Sequence, residues 1–178
     1  MSEGRMDGKL RIDEWVFFHK ASEAVMSKEH YREGSLHGKK ITYYPNGQIT
    51  ETLTYEMGSR EGENLYYSPD GVLLKKLIYY HDELHGPATY YDAGGNVVIE
   101  GHYKEGKKHG PFKLYFETGE LHQRGDYKEG KQIGLWETFY KSGVLQEKNV
   151  FKKGTLCELK YFYKNGKTQS INEFEKFN

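Results

Sequence analysis

The stretch Tyr103-Lys-Glu-Gly106-Lys-Lys-His-Gly110-Pro-Phe-Lys-Leu-Tyr115-Phe-Glu-Thr-Gly119-Glu-Leu121 carries a pattern that most of the chain repeats. An aromatic residue marks each copy at a step of 24 residues, from Tyr31 to Phe151. Two series of glycines keep the same step. They are Gly38, Gly62, Gly86, Gly110 and Gly134, and Gly47, Gly71, Gly95, Gly119 and Gly143. A fixed period of this length is the signature of a repeat architecture.

Each copy has the period-two alternation of apolar and polar residues that predicts β-strands. Counted from the first glycine, aromatic or aliphatic residues fall at offsets five, eleven and seventeen, as at Tyr115, Leu121 and Tyr127. The segment Pro45-Asn46-Gly47 predicts a three-residue hairpin loop, closed by a left-handed glycine, and such a loop pairs Tyr115 with Leu121. Lys104-Glu105-Gly106 predicts a second turn of the same form. We therefore expect the three offsets to share one face, which forms the structural core.

The sequence thus predicts an all-β protein, a single continuous antiparallel β-meander of about six 24-residue hairpin repeats in a twisted or gently rolled sheet. Residues 1–13 are expected to be a flexible N-terminal segment. Residues 14–178 are expected to form a single β-repeat domain, with a degenerate capping hairpin at 14–30 and six repeats at 31–174. A helix over 21–30 is the alternative for that segment.

The composition argues against several classes of function. Lys+Arg and Asp+Glu balance at 26 each, so the net charge does not attract nucleic acid. No apolar run approaches the ~18 residues of a membrane span. The single cysteine, Cys157, cannot form an intrachain disulfide. A cytoplasmic location is favoured if residue 1 is the native start, and a secreted or periplasmic one if a signal was removed.

Three sets of polar residues resemble functional sites. His37, His85 and His109 share one repeat position, but equivalent strands lie about 10 Å apart, too far for two of them to hold one zinc ion. The stretch 34–39 is similar to a phosphate-binding loop, yet it has one residue too few and lacks the Ser/Thr after Lys39. Glu33, Glu105 and Glu129 are expected to be solvated turn residues. The sequence therefore predicts no catalytic residue, no cofactor and no metal.

The pattern Tyr-x-x-Gly-x-x-x-Gly-x-x-x-x-aromatic-x-x-x-Gly-x-Leu resembles the MORN repeat, and its long spacer resembles the variant form common in bacterial proteins. The resemblance covers about residues 31–174. It implies a non-catalytic protein-interaction module, of the antitoxin or immunity type in which relatives of the variant form are often classed. Other MORN proteins are membrane-associated or scaffolding modules, which leaves a peripheral membrane or structural scaffold protein as the alternative. A sheet that binds carbohydrate through its tyrosines is a third hypothesis.

The residues at even offsets differ between the two halves of the chain. They are mixed in the first three repeats and strongly apolar in the last three. One hypothesis is a partly exposed surface that contacts a protein partner, such as a toxin, or a second copy of the chain, because interface cores favour aromatic residues. Its residues are Phe112, Phe116, Trp136, Tyr140, Tyr161 and Tyr163, with Trp136 as the expected hot spot. The alternative is a second core, buried by curling of the sheet or by a dimer. Lipid contact through the lysines of 104–108 is a weaker expectation.

Overall fold

A computed structural model describes residues 1–20, 22–162, 164–165 and 167–173, with side chains described up to residue 162 and at 164, 165 and 167. The described residues form β-strands and no helix. They fall into two compact units. One comprises residues 1–86 with 93–95, and the other comprises 87–92 with 96–178. The single domain predicted from the sequence stays a prediction.

In the first unit the strands follow chain order and pair antiparallel, while the short β6 pairs beside β5. The strands are β1 (Ser2–Asp7), β2 (Leu10–Phe18), β3 (Val25–Arg32), β4 (Ser35–Tyr43), β5 (Ile49–Glu56), β6 (Ser59–Arg60), β7 (Gly62–Tyr67), β8 (Leu73–Tyr80) and the first half of β9 (Glu83–Tyr91).

The second unit repeats this arrangement with the end of β9 and seven further strands, again antiparallel and in chain order. They are β10 (Val97–Lys104), β11 (Lys107–Tyr115), β12 (Leu121–Lys128), β13 (Lys131–Phe139), β14 (Leu145–Lys152), β15 (Thr155–Phe162) and β16 (Thr168–Glu173). The predicted all-β antiparallel meander of hairpin repeats is confirmed.

The N-terminal residues, which we expected to be flexible, form β1 and the start of β2. Gly4 pairs with Trp15 across this hairpin, and Trp15 Nε1 donates a hydrogen bond to the Arg5 carbonyl at 3.1 Å. The helix considered for 21–30 is not formed, because Val25–Arg32 is a strand paired with β2. The pairing of β1 with β2 accounts for this strand, and the flexibility of the segment stays a prediction.

The two kinds of turn differ. In the first, the Gly47 amide donates to the Tyr44 carbonyl at 2.9 Å and Tyr115 pairs with Leu121, so the predicted three-residue loop is confirmed. In the second, Lys104 pairs with Lys107, which leaves a loop of only Glu105 and Gly106. Their φ angles of 50° and 72° are those of a type I′ turn, whose twist matches that of the flanking strands. The expected three-residue loop is wrong here.

A β-bulge after each three-residue loop decides which residues share a face. Tyr115 pairs with Leu121, but Leu114 pairs with Gln123, so one extra residue stands on β12. Beyond this bulge Phe112 pairs with Gly125. The repeat tyrosines at offset seventeen therefore lie on the same face as the even-offset residues of the first strand. The expected grouping of offsets five, eleven and seventeen on one core face is wrong.

The core of each unit is a central row of residues, to which each of its full-length strands from β3 to β15 contributes one. In the first unit the row runs through Glu29, Lys40, Leu53, Asn64 and Leu77. In the second unit it runs through Ala88, Gly101, Phe112, Gly125, Trp136, Asn149 and Leu159. The least exposed members are Asn64 at 0%, Trp136 at 1% and Ala88 at 2%. Strands about 4.8 Å apart let neighbouring side chains cover this row from both sides.

Candidate functional site

Trp136 is the centre of an aromatic cluster in the second unit. Its ring lies 5.0 Å from that of Tyr127, 6.2 Å from Phe112 and 6.4 Å from Phe151, measured between ring centroids. Its Nε1 donates to the Asp126 carbonyl at 3.2 Å. Gly125 provides the room, because a Cβ there would lie 2.3 Å from Trp136 Cδ2. The cluster is therefore a packed core in which the indole is hydrogen-bonded.

Two of the predicted binding residues thus lie inside the chain. Trp136 is 1% exposed and Phe112 is 8% exposed, so the partly exposed surface that we expected at these positions is not observed. The reason is the bulge described above, which brings the repeat tyrosine Tyr127 onto the same face, where its ring covers both residues. The apolar even-offset residues of β11 and β13 belong to the core.

Phe116 and Tyr140, in contrast, lie together at one end of the second unit. They border a groove of about 420 Å³, here called the turn-edge groove, whose other residues are His122, Lys141, Ser142, Gln146 and Lys164. Both aromatic side chains are half-buried. Each follows directly after the first strand of a hairpin, before the three-residue loop, so the repeat places them side by side.

Specific contacts hold the two rings of the turn-edge groove. Phe116 stacks on His122 with centroids 4.3 Å apart, and Tyr140 Oη donates to the Phe162 carbonyl at 3.2 Å. Lys141 Nζ lies 5.6 Å from the Phe116 centroid, and Lys164 Nζ lies 5.8 Å from that of Tyr140. The groove therefore presents two fixed rings, each accompanied by a lysine.

The remaining predicted residues lie elsewhere. Tyr161 pairs with Glu147 on the neighbouring strand and is 36% exposed, and it does not border the turn-edge groove. Tyr163 lies outside the described residues. The predicted residues therefore do not form the one surface that we expected. That any of them contacts a partner stays a prediction.

Sequence reasoning missed His122, Gln146 and the two lysines of the groove. A signal for the lysines was present: the first loop position is Pro45 and Pro69 in early repeats but Lys141 and Lys164 in the last two. The position of His122 gave no such signal. His122 is the extra residue of the β-bulge, and that position needs no particular residue type by which the sequence could reveal it.

The first unit has a polar counterpart of the aromatic cluster. The Glu29 carboxylate accepts hydrogen bonds from Ser27 Oγ at 3.0 Å and Tyr31 Oη at 2.6 Å, and Lys40 Nζ lies 3.1 Å away. Burial raises the pKa of Glu29, but the hydrogen bonds from Tyr31, Lys40 and Ser27 together outweigh it and hold the pKa below its usual value. This network satisfies its buried charge internally, which fits a structural role.

The described residues offer no metal site, since no three of their His, Cys, Asp or Glu side chains come close enough together to hold an ion. The histidines at the shared repeat position make separate contacts: His37 Nδ1 lies 3.6 Å from Glu56, and His85 stands edge-on to Tyr80. Cys157 is exposed. The described part of the chain also contains no helix with the length and apolar character to cross a membrane.

A family model described as the MORN repeat variant matches residues 36–57, 60–82, 84–105, 108–129 and 132–153. The chain belongs to this family. MORN repeats are generally non-catalytic modules for interaction with proteins or membranes. Each matched MORN repeat holds one three-residue loop between its two strands, and the repeats 108–129 and 132–153 contribute Phe116 and Tyr140 to the groove. Comparison with curated proteins found no match.

Proposed function

We propose that this MORN-repeat chain is a non-catalytic module that binds a partner protein, of the antitoxin or immunity type, and that the turn-edge groove is its contact site. The observation that supports the proposal is the pair of half-buried, hydrogen-bonded or stacked rings of Phe116 and Tyr140. Interface cores are enriched in aromatic residues, and a few of these usually carry most of the binding energy.

Preorganisation is the second argument. The hydrogen bond of Tyr140 to the Phe162 carbonyl and the stacking of Phe116 on His122 fix both rings before any partner arrives. A partner that packs on fixed rings loses less conformational entropy on binding than one that must order them. The buried Trp136 contributes by supporting the strand that carries Tyr140, not by direct contact.

The chain offers a matched control for the test. Tyr44, in the first unit, donates the same kind of hydrogen bond, to the Tyr67 carbonyl at 2.9 Å, and does not border the turn-edge groove. Tyr44→Ala and Tyr140→Ala should therefore cost similar stability. Only Tyr140→Ala, alone or with Phe116→Ala, should weaken binding, by about 2 kcal/mol if Tyr140 is a hot spot.

The experiment is co-expression with the product of the neighbouring gene, followed by co-purification, titration calorimetry and a growth assay. We expect a complex, relief of toxicity, and loss of both in the Phe116→Ala/Tyr140→Ala variant while the Tyr44→Ala variant keeps them. Equal binding by all variants would rule out the groove as the contact site. A chain that binds no protein but floats with anionic vesicles would instead favour the peripheral membrane scaffold.

A further inference from the structure

The turn-edge groove contains the same small unit twice, which we call the ring–lysine pairs. In each, the residue after the first strand of a hairpin supplies a ring, and the first loop residue of the next hairpin supplies an ammonium group. The pairs are Phe116 with Lys141 and Tyr140 with Lys164, with ammonium-to-centroid distances of 5.6 and 5.8 Å. Both lysines are exposed.

The charged residues that border the groove are all basic. Its seven bordering residues include two lysines and a histidine but no carboxylate. Neither lysine forms an ion pair with a described carboxylate. Lys141 acts on the carboxylate of Glu120, whose pKa is lowered first by the Thr118 hydroxyl and its own backbone amide and only lastly by Lys141. The residues that border the groove therefore carry positive charge beside aromatic rings and no carboxylate.

Two other cation–ring contacts in the chain have a structural explanation. Arg60 lies 4.2 Å from the Tyr79 centroid, but its Nε is also 3.2 Å from Asp82 Oδ1, which neutralises it. Lys108 lies 4.4 Å from the centroid of Phe112, which is buried. The ring–lysine pairs differ from these two contacts because their lysines form no ion pair with a described carboxylate and their half-buried rings border an open groove.

The spacing of the two pairs restricts the ligand. Equivalent positions in consecutive hairpins lie two strand spacings apart, about 10 Å. A polyproline II segment has three residues per turn and rises about 3.1 Å per residue, so its side chains recur on one face every ~9.3 Å. A β-strand would instead place side chains three residues apart on opposite faces. Aromatic-lined grooves are also the usual receptors of polyproline II segments.

We propose that the turn-edge groove binds a proline-containing acidic segment in polyproline II conformation, with two carboxylates three residues apart. The carboxylates pair with Lys141 and Lys164, and the intervening proline rings pack on Phe116 and Tyr140. This inference rests on the proposed function, because it names the chemistry of the partner at the same groove.

The test uses a fluorescein-labelled synthetic peptide, Gly-Pro-Glu-Pro-Pro-Glu-Pro-Gly, with fluorescence anisotropy as the readout. Two matched peptides replace both glutamates by glutamine or place them next to each other. We expect the first peptide to bind more tightly than either control and to bind more weakly as salt is raised. Lys141→Gln and Lys164→Gln should each weaken its binding about twofold to fivefold, the range for exposed ion pairs. Lys104→Gln, an exposed lysine away from the groove, should change nothing.

The outcomes separate the two proposals. Equal binding of the glutamate and glutamine peptides, or no binding of either, overturns the acidic ligand. If the co-expressed partner still requires Tyr140 in that case, the proposed function survives. Binding to phosphatidylserine vesicles but not to the peptide overturns the inference in favour of an anionic lipid surface. A partner that binds the Phe116→Ala/Tyr140→Ala variant normally overturns the proposed function itself.

Discussion

Backbone conformation, more than side-chain packing, explains the glycine at the second position of the two-residue loops. Gly106 has a φ of 72°, and a Cβ built there would meet no atom within 4 Å. Asp82 takes the equivalent position in another repeat with a φ of 66°. Its carboxylate accepts a hydrogen bond from the Arg60 amide at 3.0 Å, a contact that a glycine could not make. A residue other than glycine is tolerated there when a local contact compensates the strain.

Gly106→Val should therefore cost about 1–3 kcal/mol, because a β-branched residue is strained in the left-handed region while no steric clash adds to the loss. Urea denaturation measures the cost. Gly106→Asn is the control, since asparagine tolerates this conformation better and should lose less. Equal melting behaviour of wild type and Gly106→Val would show that the turn assignment is wrong.

Trp136→Ala should cost about 3–5 kcal/mol in the isolated chain, the usual range for removing a buried aromatic side chain. Tyr115→Ala should cost less, because Tyr115 is only half-buried and its hydroxyl bonds to the partly exposed Glu100 at 2.7 Å. Denaturation of both variants at low protein concentration decides the order. A Trp136→Ala variant as stable as wild type would restore the idea that this position serves binding alone.

Among the elements, a large side chain on one strand of the sheet lies opposite a small residue on the strand before it. Phe112 and Trp136 each face a glycine on the strand before them, since a Cβ at Gly101 would lie 3.0 Å from the Phe112 ring and one at Gly125 2.3 Å from Trp136. Trp15 and Gly4 repeat this match at 2.3 Å. Where the row contains Leu77, its partner on the preceding strand is the smaller Asn64. Neighbouring strands thus constrain one another's residue sizes.

Gly125→Ala should destabilise the wild-type chain by about 1–3 kcal/mol through overpacking against the indole. In the Trp136→Ala background the same change should cost little or become favourable, because the ring that it would strike is gone. A double-mutant cycle from urea denaturation measures this coupling. Additive effects would contradict the packing of Trp136 over Gly125.

At the scale of the whole molecule, the central rows of the two units contain different kinds of side chain. The first contains the Glu29–Lys40 pair and Asn64, while the second contains Phe112 and Trp136. In repeat proteins stability is approximately a sum over repeats and their interfaces. Different core residues can therefore stabilise the same arrangement of strands, provided that each buried charge has a partner of opposite charge.

The chain should lose stability as pH falls through the acidic range. The pKa values of Glu29, Glu100 and Glu137 are all lowered in the folded chain: burial opposes the shift at Glu29 and Glu137, where hydrogen bonds outweigh it, and the Tyr115 hydroxyl dominates at Glu100. A lowered carboxyl pKa contributes stability above the unfolded pKa of about 4.3, and this is lost as pH falls through the folded pKa.

Urea midpoints at a series of pH values measure the loss. Glu29→Gln should be less stable than wild type at neutral pH, because Lys40 loses its partner, and the difference should shrink as the solution is acidified. Glu137→Gln is the matched control, because Glu137 is a less buried carboxylate that also has two cations nearby. A difference between Glu29→Gln and wild type that is constant with pH would contradict the role of the Glu29 charge.

The sequence by itself determined the repeat, the strands, the antiparallel order and the three-residue loops. These follow from local rules: period-two alternation marks strands, and Pro-Asn-Gly at a fixed step fixes a turn. It also indicated the family, since both glycine series and the aromatic positions recur at one step through five copies. It located Phe116 and Tyr140 as members of a candidate surface, although it grouped them with residues that lie in the core.

Only the tertiary structure decided which face is buried. A single extra residue, His122 at the bulge that follows the Tyr115–Leu121 pair, exchanges the faces of all the residues that follow on the strand. Its presence depends on how two strands pair rather than on any residue type. The burial of Trp136 likewise depends on Gly125 across the hairpin, and the turn-edge groove on loops from successive repeats. Local rules act within one strand or turn, whereas faces and grooves are set by the register between them.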